Sequence, residues 1–315
     1  MLFLYPLSFL YRGAVLVRNS LFDRGLLEVR RLPVPVVSVG NLAAGGTGKT
    51  SLVRFLARKL GKKRRVAVLL RGYRRESEGL VVVSDGEKIR TDVRGAGDEA
   101  FLLAKSLRGV PVVACGDRFR GGLYAVEELG AELILLDDGF QHRRLYRDVD
   151  IVLLKRRDLS DRLLPAGLLR EPVDALRRAD ALVLSYQETD PFDFSFAGKP
   201  VFRMFREFCC LRRPDFSRVS LRELEDREVT VFAGLGDNEQ FFRAVESLGL
   251  RVRERISFPD HYHYRDFRPR RGEVYLTTLK DLVKLPPCEN LYALDFRLRV
   301  EGLPEFVAGR IGIQE

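Results

Sequence analysis

Val36-Val37-Ser38-Val39-Gly40-Asn41-Leu42, followed by Ala43-Ala44-Gly45-Gly46-Thr47-Gly48-Lys49-Thr50-Ser51, sets the fold class. The β-branched run reads as a buried strand, and 51–60 reads as an amphipathic helix behind it. The turn between them matches G-x-x-x-x-G-K-[ST], with Ala43 in place of the first glycine. Glycines let successive backbone N–H groups close around phosphate oxygens, and the helix N-terminus adds a favourable dipole. The pattern therefore predicts a nucleoside-triphosphate loop. Ala44, Gly45, Gly46, Thr47, Gly48 and Ser51 surround the phosphates, Lys49 reaches the β- and γ-phosphates, and Thr50 ligates magnesium.

The flanking sequence repeats the alternation. Strands are expected at 66–70, 110–114, 133–136, 151–154 and 181–184, and helices at 99–107 and 119–129. A hairpin of 80–83 with 88–90 is expected around Asp85-Gly86. Strands alternating with helices predict a parallel α/β sheet. A second set follows residue 200: strands at 229–233, 251–256, 273–277 and 291–294, and helices at 238–248 and 280–284. Two α/β domains result, with the boundary in 195–225: 33–205 carries the loop and 206–315 forms the second unit.

Charge is uneven over the 315 residues. Residues 1–75 hold 16 Lys or Arg and only two acids, although the whole chain carries a net +10. A basic first quarter implies an anionic partner. Residues 2–11 are apolar except Ser8, but Arg12 and Arg18 interrupt the run, which is too short and too charged to span a bilayer. No basic segment precedes it, so it fits a signal peptide badly. As a helix ending at Pro33 and Pro35, it places Ser8, Arg12, Asn19, Asp23 and Arg30 near one stripe. Segment 1–32 is thus expected to be a membrane-associated interfacial helix. Cys115, Cys209, Cys210 and Cys288 lack zinc-ligand spacing and read as free thiols in a reducing compartment.

A phosphate loop needs a carboxylate at the end of a neighbouring strand. Leu133-Ile134-Leu135-Leu136-Asp137-Asp138 supplies two, as magnesium ligands or as orienting groups. The three histidines, His142, His261 and His263, all fall in polar, acid-containing turns. Gly95-Ala96-Gly97-Asp98-Glu99 leads two acids into a helix. Asp98 reads either as a helix N-cap or as a general base for an attacking hydroxyl.

Several strings in order are similar to the tetraacyldisaccharide 4'-kinases of lipid A synthesis. They are Arg71-Gly72-Tyr73, Gly97-Asp98-Glu99, Asp137-Asp138-Gly139-Phe140-Gln141-His142, Leu164-Pro165-Ala166-Gly167-Leu168-Leu169-Arg170-Glu171-Pro172, Ala233-Gly234-Leu235-Gly236, Phe258-Pro259-Asp260-His261 and Thr278-Leu279-Lys280-Asp281. The resemblance implies two α/β/α domains with the site in the cleft between them. It implies transfer of the ATP γ-phosphate to the 4'-hydroxyl of a tetraacyldisaccharide 1-phosphate, with magnesium, at the cytoplasmic face of the bacterial inner membrane. Carried onto this chain, Asp98 takes the hydroxyl proton and His261 pairs with it. Glu99 joins Thr50, Asp137 and Asp138 at the metal. Gln141, His142, Arg170 and Glu171 line the nucleotide or sugar. Ala43 at the loop start departs from the family pattern. So does Leu279, where an acid is commoner, which weakens a role for its segment. Neither nucleic acid nor an obligate protein partner is expected. Lys62-Lys63-Arg64-Arg65 has no accompanying recognition motif. A deviant Walker ATPase switch would need a lysine where Ala43 and Ala44 stand, and a GTPase would need an Asn-Lys-x-Asp motif.

Overall fold

β1 (Val36–Asn41) is buried at all six positions because parallel neighbours flank it on both sides and helices cover both faces. The structure, a computed structural model, describes residues 4–264, 266–270 and 272–313. Leu2 and Phe3, at the start of the apolar run, lie outside the described residues. Seven further strands join β1: β2 (Val66–Leu70), β3 (Leu80–Ser84), β4 (Val112–Cys115), β5 (Leu133–Asp137), β6 (Val149–Leu154), β7 (Ala181–Leu184) and β8 (Val201–Arg203). Their order is β3-β4-β2-β5-β1-β6-β7-β8, parallel except for β3. The second arm of the expected hairpin is reduced to a single bridge, Ser84 to Ile89.

Helices α1 (Tyr5–Asp23), α2 (Lys49–Leu60), α3 (Val93–Ala96), α4 (Asp98–Ser106) and α5 (Arg118–Glu127) accompany this sheet. Val39 of β1 pairs with Asp137 of β5, so both strands end together and bring the glycine turn beside the Asp-Asp pair. Gly40 is required there. A Cβ on it would lie 2.5 Å from the Phe140 Cβ, so only glycine lets β1 pass under the turn that follows β5.

The second sheet comprises β9 (Phe205–Arg212), β10 (Arg218–Val219), β11 (Glu228–Ala233), β12 (Arg251–Ser257), β13 (Val274–Thr278) and β14 (Leu291–Arg299), in the order β10-β9-β14-β13-β11-β12. It is parallel from β12 to β14 and antiparallel at β9 and β10. Helices α6 (Asn238–Glu246) and α7 (Leu279–Leu282) belong to it. Only buried Met204 separates β8 of one sheet from β9 of the other, and β14 returns antiparallel to β9. After β14 the chain rejoins the first sheet. α8 (Leu303–Arg310) places Leu303 and Val307 in the cluster that contains Leu52, Val53 and Leu56 of α2. The core of the first sheet therefore draws on the end of the chain, outside the expected range of 33–205. Buried Asp295 of β14 bonds both Arg54 of α2 and Arg212 of β9 (2.8 and 2.9 Å), which ties the loop-bearing helix to the second sheet.

The N-terminal helix stops at Asp23, not near Pro33, and Arg30 bridges Leu145 instead of extending the polar stripe. Two members of that stripe, Ser8 and Asn19, face the protein, with Tyr11 beside them, while Arg12 and Asp23 are exposed. Ser8 Oγ donates to the Leu163 carbonyl (2.9 Å), Tyr11 Oη to the Arg170 carbonyl (2.9 Å) and Asn19 Nδ2 to Glu171 Oε2 (2.7 Å). The apolar side faces outward: Phe9 is 76% exposed and Leu10 is 68% exposed. No helix among the described residues is long and apolar enough to cross a membrane.

Candidate active site

Asn41, the last residue of β1, organises the glycine turn from inside. Its side-chain nitrogen donates to the Ala43 carbonyl (2.7 Å) and to Thr47 Oγ1 (3.0 Å), and its oxygen accepts from Lys49 Nζ (3.0 Å). Gly45 (φ 100°) and Gly48 (φ 87°) adopt left-handed backbone that side chains disfavour. Ala44 is anchored by its N–H to the Leu168 carbonyl (2.7 Å), and Gly46 by donors from Lys155 and Tyr186 to its carbonyl (3.2 and 3.3 Å). Ser51, one turn into α2, lines a 170 Å³ cavity between the two sheets.

The Asp-Asp pair divides its contacts. Thr50 Oγ1 donates to Asp137 Oδ2 (2.9 Å), while Asp137 Oδ1 is buried with no hydrogen-bond partner. Burial, then the nearby Glu99 carboxylate, push Asp137 up to about 7. Asp138, in left-handed backbone (φ 55°), faces two cations. Arg170 grips both its oxygens (2.8 and 2.9 Å), and Lys49 stands 3.5 Å away. Burial would raise Asp138, but Lys49 and the bidentate Arg170 outweigh it and hold the carboxyl well below its usual range. Among the described residues, no three His, Cys, Asp or Glu side chains converge closely enough to hold a metal by themselves. An ion bound by few protein oxygens, the remainder coming from water and phosphate, suits such a set and suits magnesium. The partnerless Asp137 oxygen and its upward shift mark where positive charge is wanted.

Asp98 opens α4 directly after Gly97 (φ 83°), where a Cβ would lie 2.8 Å from the Tyr73 carbonyl. It accepts from the Glu99 N–H at 2.9 Å, and no side-chain cap is formed to the turn beyond. Its Oδ2 lies 2.8 Å from Nδ1 of His261, a residue 163 positions away on the loop after β12. Burial opposes charge on Asp98, but the His261 bond and the Lys280 ammonium outweigh it and hold the carboxyl below its usual value. The Tyr73 ring packs on the His261 ring, with centroids 5.3 Å apart. Glu99 stands on the cleft wall. Burial on its protein side raises it, partly offset by Lys280.

The second sheet roofs the glycine turn. A Cβ built on Gly236 would lie 3.8 Å from the Gly46 nitrogen and 3.7 Å from Asp260 Oδ2. The glycine turn, the Asp137-Asp138 pair, Asp98, Glu99 and His261 thus border one cleft. The family model of LpxK, tetraacyldisaccharide-1-P 4'-kinase, matches residues 1–311. The chain belongs to this family.

Named relatives agree along the chain. The tetraacyldisaccharide 4'-kinase of Aquifex aeolicus (strain VF5) is 55% identical over 298 residues, covering 95% of this chain and 94% of that one. That of Syntrophus aciditrophicus (strain SB) is 40% identical over 324 residues, covering 92% and 86%. A crystal structure described as the "apo" form of LpxK from Aquifex aeolicus in complex with ATP superposes with a TM-score of 0.90 at 53% identity, covering 97% of this chain and 98% of that one.

Within this family member, the remaining expected site residues separate. Gln141 donates to the Asn41 carbonyl (2.9 Å), against the end of β1. His142 lies in a different recess of 410 Å³, with Leu27, Arg30, Asp117 and Arg144. There burial, then Arg118 and Arg147, lower it to about 4. Glu171 is a correction. It is wholly buried beneath α1, with Arg178 (2.9 Å) and Asn19 (2.7 Å) on its carboxylate, so it anchors the helix and has no face for nucleotide or sugar. Three residues of the cleft escaped selection from sequence: Asn41, Asp260 and Lys280. The Lys280 segment was discounted because Leu279 replaces an acid. Leu279, however, packs into an apolar cluster of the second sheet, leaving Lys280 to face the cleft.

Proposed function

We propose that this chain transfers the γ-phosphate of ATP to the 4'-hydroxyl of a tetraacyldisaccharide 1-phosphate, giving lipid IV-A. The observation that carries the reading is the 2.8 Å contact of Asp98 and His261, built from two sheets beside the turn that ends in Lys49. A phosphorylated sugar needs little covalent help. It needs a held triphosphate, an aligned hydroxyl, a proton acceptor and exclusion of water. Residues 44–51 act as a P-loop around the phosphates, and Lys49 leaves Asn41 to meet their charge. Asp98 accepts the 4'-hydroxyl proton, with His261 holding its carboxylate in line. Thr50, Asp137, Asp138 and Glu99 would hold magnesium, which when bound supplies charge neutralisation on the phosphates. Arg170 keeps Asp138 oriented. Closure of the second sheet, whose Gly236 already stands over Gly46, would exclude water, the competing nucleophile.

The packing supports a division into three units: the N-terminal helix, a P-loop kinase domain that includes α8, and a second α/β domain joined to the first through β9 and β14. α1 seats Ser8 and Asn19 on 163–171 and turns Phe9, Leu10 and Val17 outward. A soluble surface helix does the opposite, so the outward face suits the headgroup boundary of the cytoplasmic leaflet of the inner membrane, where the lipid substrate resides. The basic first quarter of the chain adds attraction to anionic lipid.

The direct test is γ-32P-labelled ATP with disaccharide 1-phosphate in detergent, with magnesium and with excess chelator. Label should reach the 4' position only with the metal; labelled inorganic phosphate alone would reject the kinase reading. For the membrane, Phe9→Ser with Leu10→Ser should lower the affinity for anionic phospholipid vesicles, read by flotation, roughly 100-fold or more, since each buried apolar side chain is worth about 1.5–3 kcal/mol. Unchanged flotation would remove α1 from the membrane account.

A further inference from the structure

β1 runs between β5, which ends in Asp137, and β6, whose following turn carries Lys155, Arg156 and Arg157. The glycine turn is therefore flanked by carboxylates on one side and by three cations on the other. Two of the cations are engaged. Lys155 Nζ donates to the Gly46 carbonyl (3.2 Å), and Arg156 pairs with Asp190 (2.8 Å). Arg157 is not: its guanidinium forms no hydrogen bond or ion pair among the described residues. Its Nη2 nevertheless lies only 4.0 Å from where a Cβ on Gly45 would stand. The turn that carries it is firmly built. Asp158, wholly buried, accepts from the Lys155 N–H (2.9 Å) and so closes the 3-10 turn Arg156–Leu159. Arg157 also lines a 220 Å³ cavity with Asp237, Gln240 and Arg243 of the second unit, so it stands where the two sheets meet.

We propose that Arg157 is a further catalytic residue, which contacts the terminal phosphate of ATP and stabilises the charge that moves during transfer. This rests on the kinase reading above. Position in the turn selects the phosphate. The N–H groups that lead into α2 cradle the inner phosphates, and the lysine reaches towards the γ-phosphate. Lys49 doubles back from α2 to Asn41 and Asp138, so the γ side is the start of the turn, where Gly45 and Arg157 stand. In the transfer the 4'-oxygen bonds to the γ-phosphorus and the bond from that phosphorus to the bridging oxygen breaks. The hydroxyl proton goes to Asp98, and the electron pair of the broken bond stays on ADP. Negative charge is then spread over the phosphoryl oxygens and the leaving oxygen. A guanidinium meets two such oxygens at once through its planar fork of donors. Arg157 has no partner to release before it turns to them, and closure of the second unit over its cavity would remove the water that screens it.

Arg157 is exposed and unpaired, so its replacement costs the fold little and the full-length chain can be tested. In the label-transfer assay Arg157→Met should lower kcat ~10²-fold, while ADP affinity by calorimetry stays within about threefold. Arg157→Lys keeps the charge and loses the fork, so its kcat should fall between wild type and Arg157→Met. With disaccharide 1-phosphate present, wild type should trap ADP with aluminium fluoride, a mimic of the phosphoryl group in flight, and Arg157→Met should not. Arg156→Met removes the neighbouring, paired charge and should keep kcat within about threefold. A loss of less than ~10-fold in Arg157→Met, or undiminished trapping, would overturn the proposal. So would an equal loss in Arg156→Met, which would signal a general charge effect. ADP affinity that falls as far as kcat would also overturn it, by placing the guanidinium at the inner phosphates or the nucleoside. In each case an active wild type and an inactive Asp98→Asn leave the kinase reading intact; an inactive wild type removes that reading instead.

Discussion

Asp98→Asn lowers turnover by ~10³-fold or more, with ATP bound within a few-fold of wild type. The amide keeps the shape of the side chain and loses the proton acceptor. Asp98 is buried, accepts from His261 and the Glu99 N–H, and is held ionised against its burial by His261 and Lys280. Such an arrangement keeps a carboxylate ready to receive a proton at neutral pH. Asp98 opens α4, whereas the glycine turn leads into α2, so the grip on phosphate does not pass through Asp98. The measurement is kcat beside ATP affinity by calorimetry. Wild-type turnover in the variant would remove the proton-acceptor role, and lost ATP affinity would move Asp98 from chemistry to binding.

Lys49→Met is expected to cost ~10²–10³-fold in kcat and, unlike Asp98→Asn, to weaken ATP binding as well. Lys49 has two jobs in the structure. Its ammonium bonds the Asn41 side chain (3.0 Å), the residue that organises the turn, and it stands 3.5 Å from Asp138 among Asp137, Asp138 and Glu99. Removing it leaves those carboxylates with less opposing charge and the γ-phosphate without its cation. A KM for ATP raised together with a lowered kcat distinguishes this residue from the Asp98–His261 pair. A change in neither would show that the turn grips no triphosphate.

The first sheet was legible because its strands are buried on both faces. Runs such as Leu133-Ile134-Leu135-Leu136 carry an apolar signal that admits few other readings. β9 was not legible: Phe205-Arg206-Glu207-Phe208 mixes charge with apolar residues because one face stays wet, and β8 is only three residues long. α8 was missed for another reason. Its core partners lie on α2, some 250 residues earlier, and no local pattern encodes such a contact. Of the polar stripe on the N-terminal helix, Ser8 and Asn19 meet the 163–171 segment with buried Glu171, and that partner is a tertiary fact. That is why Glu171, expected near substrate, proves to be an anchor.

At the site, types and spacing identified the glycine turn and the two carboxylates, since those groups are local in sequence. By residue type and local spacing Asp98 reads as either cap or base, and only the family resemblance pairs it with His261, because the two lie 163 residues apart and meet only in the fold. Lys280 shows the opposite failure. A departure at Leu279 argued against its segment, yet the side chain at 279 faces the apolar cluster and its substitution leaves the next residue in the cleft.

The central claim is that Asp98 and His261 act as one unit across that cleft. The most direct measurement is kcat for Asp98→Ala, His261→Ala and the double variant in the same label-transfer assay. Groups that work as a unit give strongly non-additive losses, so the double variant should be no worse than Asp98→Ala alone, within about threefold. If the two losses multiply in full, the pair acts independently and the account of the site is contradicted.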